Sequence, residues 1–197
     1  LLKIGAVFLR PQEPFTWASG IKSPVYCDNR LILSAPDSRM IVETAIADTI
    51  KTHYPECEIL MGTSTAGIAH AGIAAYILGK PMGYVRGSAK NHGRANRIEG
   101  RLDKGQKAVV VEDLISTAGS AIETAEALRE AGAEVLGIVS IFTYGLKRGE
   151  ENMKKHDLKN VSLCNFETLL ETAVKEGYIR PEEQRQIEKW KEKLEEK

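Results

Sequence analysis

Apolar residues recur along the middle of the chain in two alternating rhythms, and together they set out an α/β fold. Ile59-Leu60-Met61 is a short continuous apolar run of the kind a strand covered on both faces shows. The small-residue stretch Gly62-Thr63-Ser64-Thr65-Ala66-Gly67 follows. Ile68, Ala71, Ala74, Ala75 and Leu78 then return at helical spacing until Gly79 and Pro81 stop the helix. Pro81 to Arg86 reads as a second strand, Ala108 to Val111 as a third and Val135 to Phe142 as a fourth. A helix from about Ser120 to Ala131, closed by Gly132, lies between the last two. This alternation calls for right-handed crossovers, and so for a central, mostly parallel sheet flanked by helices.

The two ends of the chain read differently. Residues 1–35 are rich in Pro and Gly and predict irregular or short-strand structure, a small hood packed on the core. Pro36 to about His53 is helical, with Ile41, Ala45 and Ile46 on one side. Pro181 to Lys197 is charge-rich, yet Ile187, Trp190 and Leu194 share one helical face, and Pro181 sits where a helix start tolerates it. The expected organisation is a single domain: a hood segment over 1–35, a core over 36–180 and a C-terminal helix over 181–197. Residues 87–106 stand apart, because Gly87 to Arg97 carries almost no apolar side chain between two buried strands. With Lys90, His92, Arg94 and Arg97 between glycines, this segment reads as a long flexible loop that handles anions.

Composition narrows the classes. The 27 basic and 27 acidic side chains cancel, which argues against a dedicated nucleic-acid binder. Cys27, Cys57 and Cys164 are far apart and form no metal or disulfide pattern, which fits a reducing cytoplasm. No apolar run approaches the ~20 residues of a membrane span. The chain opens Leu1-Leu2-Lys3 without an initiator Met, so we expect the native N-terminus to lie upstream.

The chemistry gathers between Gln106 and Ala121, where an apolar strand delivers Glu112 and Asp113 to its carboxyl end. The turn Ser116-Thr117-Ala118-Gly119-Ser120 then opens a helix. Ligands of open α/β sheets bind at that edge. A turn of small and hydroxyl residues can offer consecutive backbone N–H groups to a phosphate, aided by the positive end of the helix. The carboxylates suit sugar hydroxyls and an associated hard cation such as Mg²⁺. Neither a P-loop nor a dinucleotide fingerprint is present.

The run V-V-V-E-D-L-I-S-T-A-G-S (residues 109–120) resembles the PRPP-binding signature of the type I phosphoribosyltransferases. The segments F-T-W-A-S-G-I-K-S-P-V-Y-C-D-N-R (15–30), Y-V-R-G-S-A-K-N-H-G (84–93), I-E-G (98–100) and I-F-T-Y-G-L (141–146) are similar to the orotate branch of that family. The likeness extends from about Val7 to Ala173. It implies the type I phosphoribosyltransferase fold and transfer of ribose 5-phosphate from PRPP to N1 of orotate, a step of pyrimidine (UMP) biosynthesis. On this resemblance Glu112, Asp113, Leu114, Ile115, Ser116, Thr117, Ala118, Gly119 and Ser120 bind PRPP, with Arg86, Lys90 and His92 at its pyrophosphate. Lys90, His92 and Asp113 are the catalytic residues, and Ser116 and Lys22 meet orotate. Mg²⁺ is the cofactor, carried by PRPP near Asp113 rather than by a dedicated protein cage. The resemblance further implies a cytoplasmic homodimer whose loop serves the neighbouring subunit, with no membrane or nucleic-acid partner.

Two departures bear on the base. Some family members place an Asp-Arg pair after the fourth strand, where this chain has Tyr144-Gly145, and Tyr-Lys after the first, where it has Thr65-Ala66. Backbone donors of the N-terminal segment, or Arg30, are the substitutes proposed, Arg30 from charge alone. From the sequence, two alternatives stand beside the orotate reading: a phosphoribosyltransferase for another base, and a non-catalytic PRPP-sensing regulator that binds nucleic acid.

Overall fold

Residues 1–16, 22–87 and 97–195 are described by the computed structural model. They fall into two units, one made of Leu1–Arg39 with Cys164–Lys197 and the other of Met40–Leu163. The first unit opens with short antiparallel ladders, β1 (Val7–Leu9) with β4 (Val25–Cys27) and β2 (Phe15–Thr16) with β3 (Lys22–Ser23). A 3₁₀ helix over Asn29–Ser34 follows, entered through Asp28, whose side chain accepts from the Arg30 N–H. These are the irregular and short-strand elements that the Pro- and Gly-rich opening predicts.

Helix α1 (Pro36–His53) runs from the first unit into the second, and its inner face differs from expectation. Ile41 is 70% exposed, and the buried side is Glu43, Ile46, Ala47 and Ile50. The cause is a partner for the acid. Glu43 Oε1 lies 2.6 Å from Nδ1 of His70, and both side chains are fully buried. A charged residue that sequence patterning assigns to solvent therefore sits inside, and the helix turns with it.

The second unit is built on the central sheet. Its strands are β5 (Ile59–Thr63), β6 (Met82–Val85), β7 (Ile98–Glu99), β8 (Lys107–Ile115), β9 (Glu134–Thr143) and β10 (Asn160–Asn165), in the order β10-β9-β8-β5-β6-β7. β5 pairs in parallel with β6 and with β8, and β8 in parallel with β9; β7 returns antiparallel to β6. The mostly parallel sheet predicted from the alternation is present. β7 falls in the middle of the 87–106 stretch and shortens the loop expected there; residues 88–96 lie outside the described residues.

Crossover helices close the unit. α2 (Ala66–Leu78) stops at Gly79, which takes the left-handed conformation at φ 63° and donates its N–H to the last turn. α3 (Gly119–Glu130) lays Ala121, Ala125 and Leu128 into a core shared with Ile59, Val110 and Ile138 of the sheet. α4 (Lys147–Lys155) is strongly charged and buries only Gly149 and Met153. In the first unit, α5 (Phe166–Lys175) is capped by Asn165, and α6 (Pro181–Glu195) buries Ile187 as its periodicity predicts. The sequence reading set out no elements for α4, β10 or α5.

The Glu43–His70 pair supplies a stability test. Among the described residues Glu43 Oε2 and His70 Nε2 have no hydrogen-bond partner, so each group relies on the other. Glu43→Leu leaves the imidazole buried alone and is expected to cost about 3–5 kcal/mol in urea unfolding. The double variant Glu43→Leu/His70→Leu is expected to recover much of that loss, and equal losses in both would refute mutual dependence.

Candidate active site

β8 continues further than its apolar run. Lys107 to Ile115 pairs with β9 through Glu112↔Ser140, Leu114↔Phe142 and Ile115↔Thr143, so both acids belong to the strand rather than to a loop after it. Consecutive strand residues point to opposite faces. Glu112 is 4% exposed and Asp113 half-buried, yet the Glu112 carboxyl stays within hydrogen-bond reach of Asp113. Ile115 follows into the core at 1% exposure, and its carbonyl accepts from the Tyr144 N–H at 3.0 Å. Of the expected PRPP-binding positions, Ile115 thus offers no accessible side chain.

The turn begins at Ser116, and Gly119 and Ser120 already belong to the first turn of α3 (Gly119–Glu130). Thr117, Gly119 and Ser120 are exposed, and Ser116 is half-buried. Ala118 stands at φ 64° and ψ 14°, left-handed and 3% exposed, and brings the chain into α3. Among the described residues no side chain caps this helix start, so its first N–H groups face outward at the end where the helix dipole favours an anion. Two residues of α4 brace the turn from behind. Asn152 Nδ2 donates to the Thr117 carbonyl at 3.1 Å, and Gly149 passes so close that a Cβ there would overlap the Ser116 carbonyl oxygen. Sequence reasoning missed both, since neither carries a chemical signature.

Glu112 has three donors around it. The Thr63 hydroxyl donates to Oε1 at 2.6 Å, the Asp113 N–H to the same oxygen at 3.0 Å, and the Ser120 hydroxyl to Oε2 at 2.6 Å. Burial pushes its carboxyl up to about 7, and the neighbouring Asp113 adds to the rise; the Ser120 and Thr63 hydroxyls oppose it. Thr63 was not among the expected site residues, because a hydroxyl between Gly62 and Ser64, in a run of small residues, reads as part of a turn.

The remaining predicted positions are spread more widely. Arg86 follows β6, its Nε 3.1 Å from Glu99 Oε1 and its N–H donating to the Arg97 carbonyl. Arg97 in turn pairs with Glu123 of α3 at 2.7 Å. The loop after β5 is tied to β6 by the Ser64 hydroxyl, which donates to the Val85 carbonyl at 2.5 Å; the Ser64–Thr65 peptide is cis. Lys90, His92 and Arg94 lie outside the described residues. In the first unit, Lys22 keeps an exposed side chain while its carbonyl accepts from Trp190 Nε1 at 2.8 Å. Arg30 is engaged by Asp28 in a two-pronged pair at 2.6 and 2.9 Å, which holds the Asp28 carboxyl below its usual range. Among the described residues, no group of three or more His, Cys, Asp or Glu side chains is placed to hold a metal. No helix there is long and apolar enough to cross a membrane.

A parallel sheet carrying an acid pair at the end of its central strand, followed by an uncapped turn of small and hydroxyl residues, defines a phosphoribosyltransferase of the type I fold. The phosphoribosyl transferase domain model matches residues 30–176. The orotate phosphoribosyltransferase of Bacillus cereus is 54% identical over 191 residues, which cover 97% of this chain and 91% of that protein. The orotate phosphoribosyltransferase of Aeropyrum pernix superposes with a TM-score of 0.79 at 31% identity, covering 91% of this chain and 97% of that one. UMP synthase of Leishmania donovani shares the fold at a TM-score of 0.83 and 24% identity; 98% of this chain is covered but only 41% of that longer one. The chain belongs to the orotate phosphoribosyltransferases, transferases of pyrimidine biosynthesis. That membership decides against the two alternatives the sequence left standing.

The raised Glu112 carboxyl predicts a pH dependence with a definite sign. Its ordinary value is 4.5 and its folded value about 7, so between these the folded protein keeps a proton that the unfolded chain has released. The stability Glu112 contributes is full below the lower value and is lost as pH rises through the upper one. Thermal midpoints from acid to mildly alkaline pH should therefore fall for the wild type relative to Glu112→Gln. Parallel curves would show that the carboxyl ionises normally.

Proposed function

We propose that the acid pair and the turn of residues 116–120 carry the orotate phosphoribosyltransferase activity, moving ribose 5-phosphate from PRPP to N1 of orotate and releasing pyrophosphate. One observation carries this assignment: β8 delivers a half-buried carboxylate, Asp113, to the sheet edge beside an uncapped, anion-favouring helix start. The turn holds the 5-phosphate through backbone N–H groups, that of Ser120 among them, and the Ser116 and Thr117 hydroxyls, with Leu114 and Ile115 leading into it; the Ser120 hydroxyl is engaged by Glu112. Of the pair Glu112–Asp113, Asp113 serves the ribose hydroxyls, and Glu112, its oxygens taken by Thr63, Ser120 and the Asp113 N–H, supports it from behind. Ser116, at the start of the turn, and Lys22 are the orotate contacts in this reading.

Breaking the C1–pyrophosphate bond leaves positive charge on the ribose and negative charge on the departing diphosphate. Cations placed in advance where that negative charge grows lower the barrier. Arg86, Lys90 and His92 take that role. Bound Mg²⁺ would supply further charge neutralisation on the phosphate oxygens. Asp113 is an oxygen donor suited to a hard cation, and a single carboxylate of this kind fits Mg²⁺ brought in largely on substrate oxygens. Exclusion of water protects the electron-poor ribose from hydrolysis.

A homodimer fits the surface of the second unit. α1 and α2 leave Met40 62%, Ile41 70% and Tyr76 88% exposed, large apolar side chains of the kind a partner covers. In this dimer the segment bearing Lys90 and His92 serves the neighbouring subunit. A cytoplasmic setting accords with Cys27, Cys57 and Cys164, none of which forms a disulfide.

Pyrophosphate release should require PRPP, orotate and Mg²⁺ together. Asp113→Asn should lower kcat/KM by roughly 10²–10³ while leaving the circular dichroism spectrum unchanged. A wild-type rate in that variant would remove Asp113 from the mechanism. Mixing Lys90→Ala chains with Asp113→Asn chains tests the shared loop, since a mixed dimer then holds one site with both lesions and one with neither. Activity should partly return, and no return after confirmed subunit exchange would rule out sharing.

A further inference from the structure

The acid pair is split by the strand that carries it, and the inner member is bound to residues on either side of the site. Thr63 ends β5, is 1% exposed and pairs in register with Val85 of β6. It is the last residue before the loop that opens α2. Its hydroxyl donates to Glu112 Oε1 at 2.6 Å, while the nearest alternative acceptor, the Val111 carbonyl, is 3.4 Å away. The other Glu112 oxygen takes the Ser120 hydroxyl, in the first turn of α3, at 2.6 Å. One buried carboxyl therefore joins three segments: the end of β5, the end of β8 and the start of the helix whose N–H groups face the ligand side. Gly67 secures the same junction, because a Cβ there would overlap the Val111 carbonyl oxygen and Thr63 Oγ1.

From this arrangement we infer that Thr63 is a positioning residue for PRPP: its hydroxyl orients Glu112, and Glu112, acting through Ser120 rather than on the ligand, sets the place of the phosphate turn. The inference rests on the reading of that turn as the PRPP site. Glu112 has both oxygens occupied and almost no exposed surface, which leaves Asp113 as the acid that meets the sugar. The Thr63–Glu112 bond is short and shielded from water, and hydrogen bonds of this kind to an acid carry more than ordinary weight. Its loss releases the β5 end from the turn without removing any group that touches substrate.

The test compares full-length Thr63→Val, which keeps the shape and removes the hydroxyl, with Thr63→Ser, which restores it. PRPP binding is measured by calorimetry without orotate, and kcat and both KM values by steady-state rates. Thr63→Val should weaken PRPP binding and raise its KM by about tenfold, the scale of one lost hydrogen bond to a carboxyl group. The KM for orotate should change less than about twofold, and Thr63→Ser should return PRPP binding to within about twofold of wild type. Should Thr63→Val fail to fold, Thr63→Ala takes its place with the same expected pattern. A lower melting temperature with unchanged PRPP affinity would overturn the inference, since the hydroxyl would then serve the fold alone. So would a loss that Thr63→Ser does not reverse. Wild-type protein that does not bind PRPP overturns the reading of the turn and this inference with it; wild-type binding matched by Thr63→Val overturns this inference alone.

Discussion

The alternation of side chains along a strand is the constraint on which this site depends. β8 is held by β5 along Ala108–Val111 and by β9 over a longer stretch that reaches Ile115, which carries both acids to the end of the strand. Glu112 and Asp113 leave the strand in alternate directions, yet the Asp113 N–H donates to Glu112 Oε1 and keeps the two acids in contact. One acid is driven into the interior and has to find donors there; the other is left at the edge. A pair that looks redundant in sequence becomes two groups in different environments, one whose carboxyl burial pushes up to about 7 and one half-buried beside it.

The rest of the second unit serves that strand. α3 packs small residues, Ala121 and Ala125, against the sheet, which lets its first turn approach the strand end closely. Gly149 allows α4 the same closeness on the far side of the turn. Neither glycines nor alanines supply chemistry here. They set distances, and so fix how closely the turn of residues 116–120 approaches the end of β8.

How much of this was legible beforehand depended on the kind of signal. The strand and helix order came through because buried parallel strands are continuous apolar runs and the crossover helices repeat at their own period. The acid pair and the turn were legible as a motif. The extension of β8 through Glu112 was not, since polar residues at a strand end look like a loop until the pairing partner is known. Glu43 was missed for a related reason: a carboxylate goes inside only if a partner from elsewhere in the chain is waiting, and His70 lies 27 positions away. α4 has little apolar content to show a period. In α5 the spacing Phe166, Leu169, Leu170, Ala173 is helical, and it is the signal by which that element can be read.

Ala118 has a consequence of its own. A left-handed backbone costs a non-glycine residue roughly 1–2 kcal/mol, and glycine would avoid it. With alanine the loop has fewer alternative shapes to visit, and its methyl group is packed away at 3% exposure. If the turn is the phosphate site proposed above, its donors are in position before the ligand arrives, and little of the binding free energy goes into ordering the chain around it.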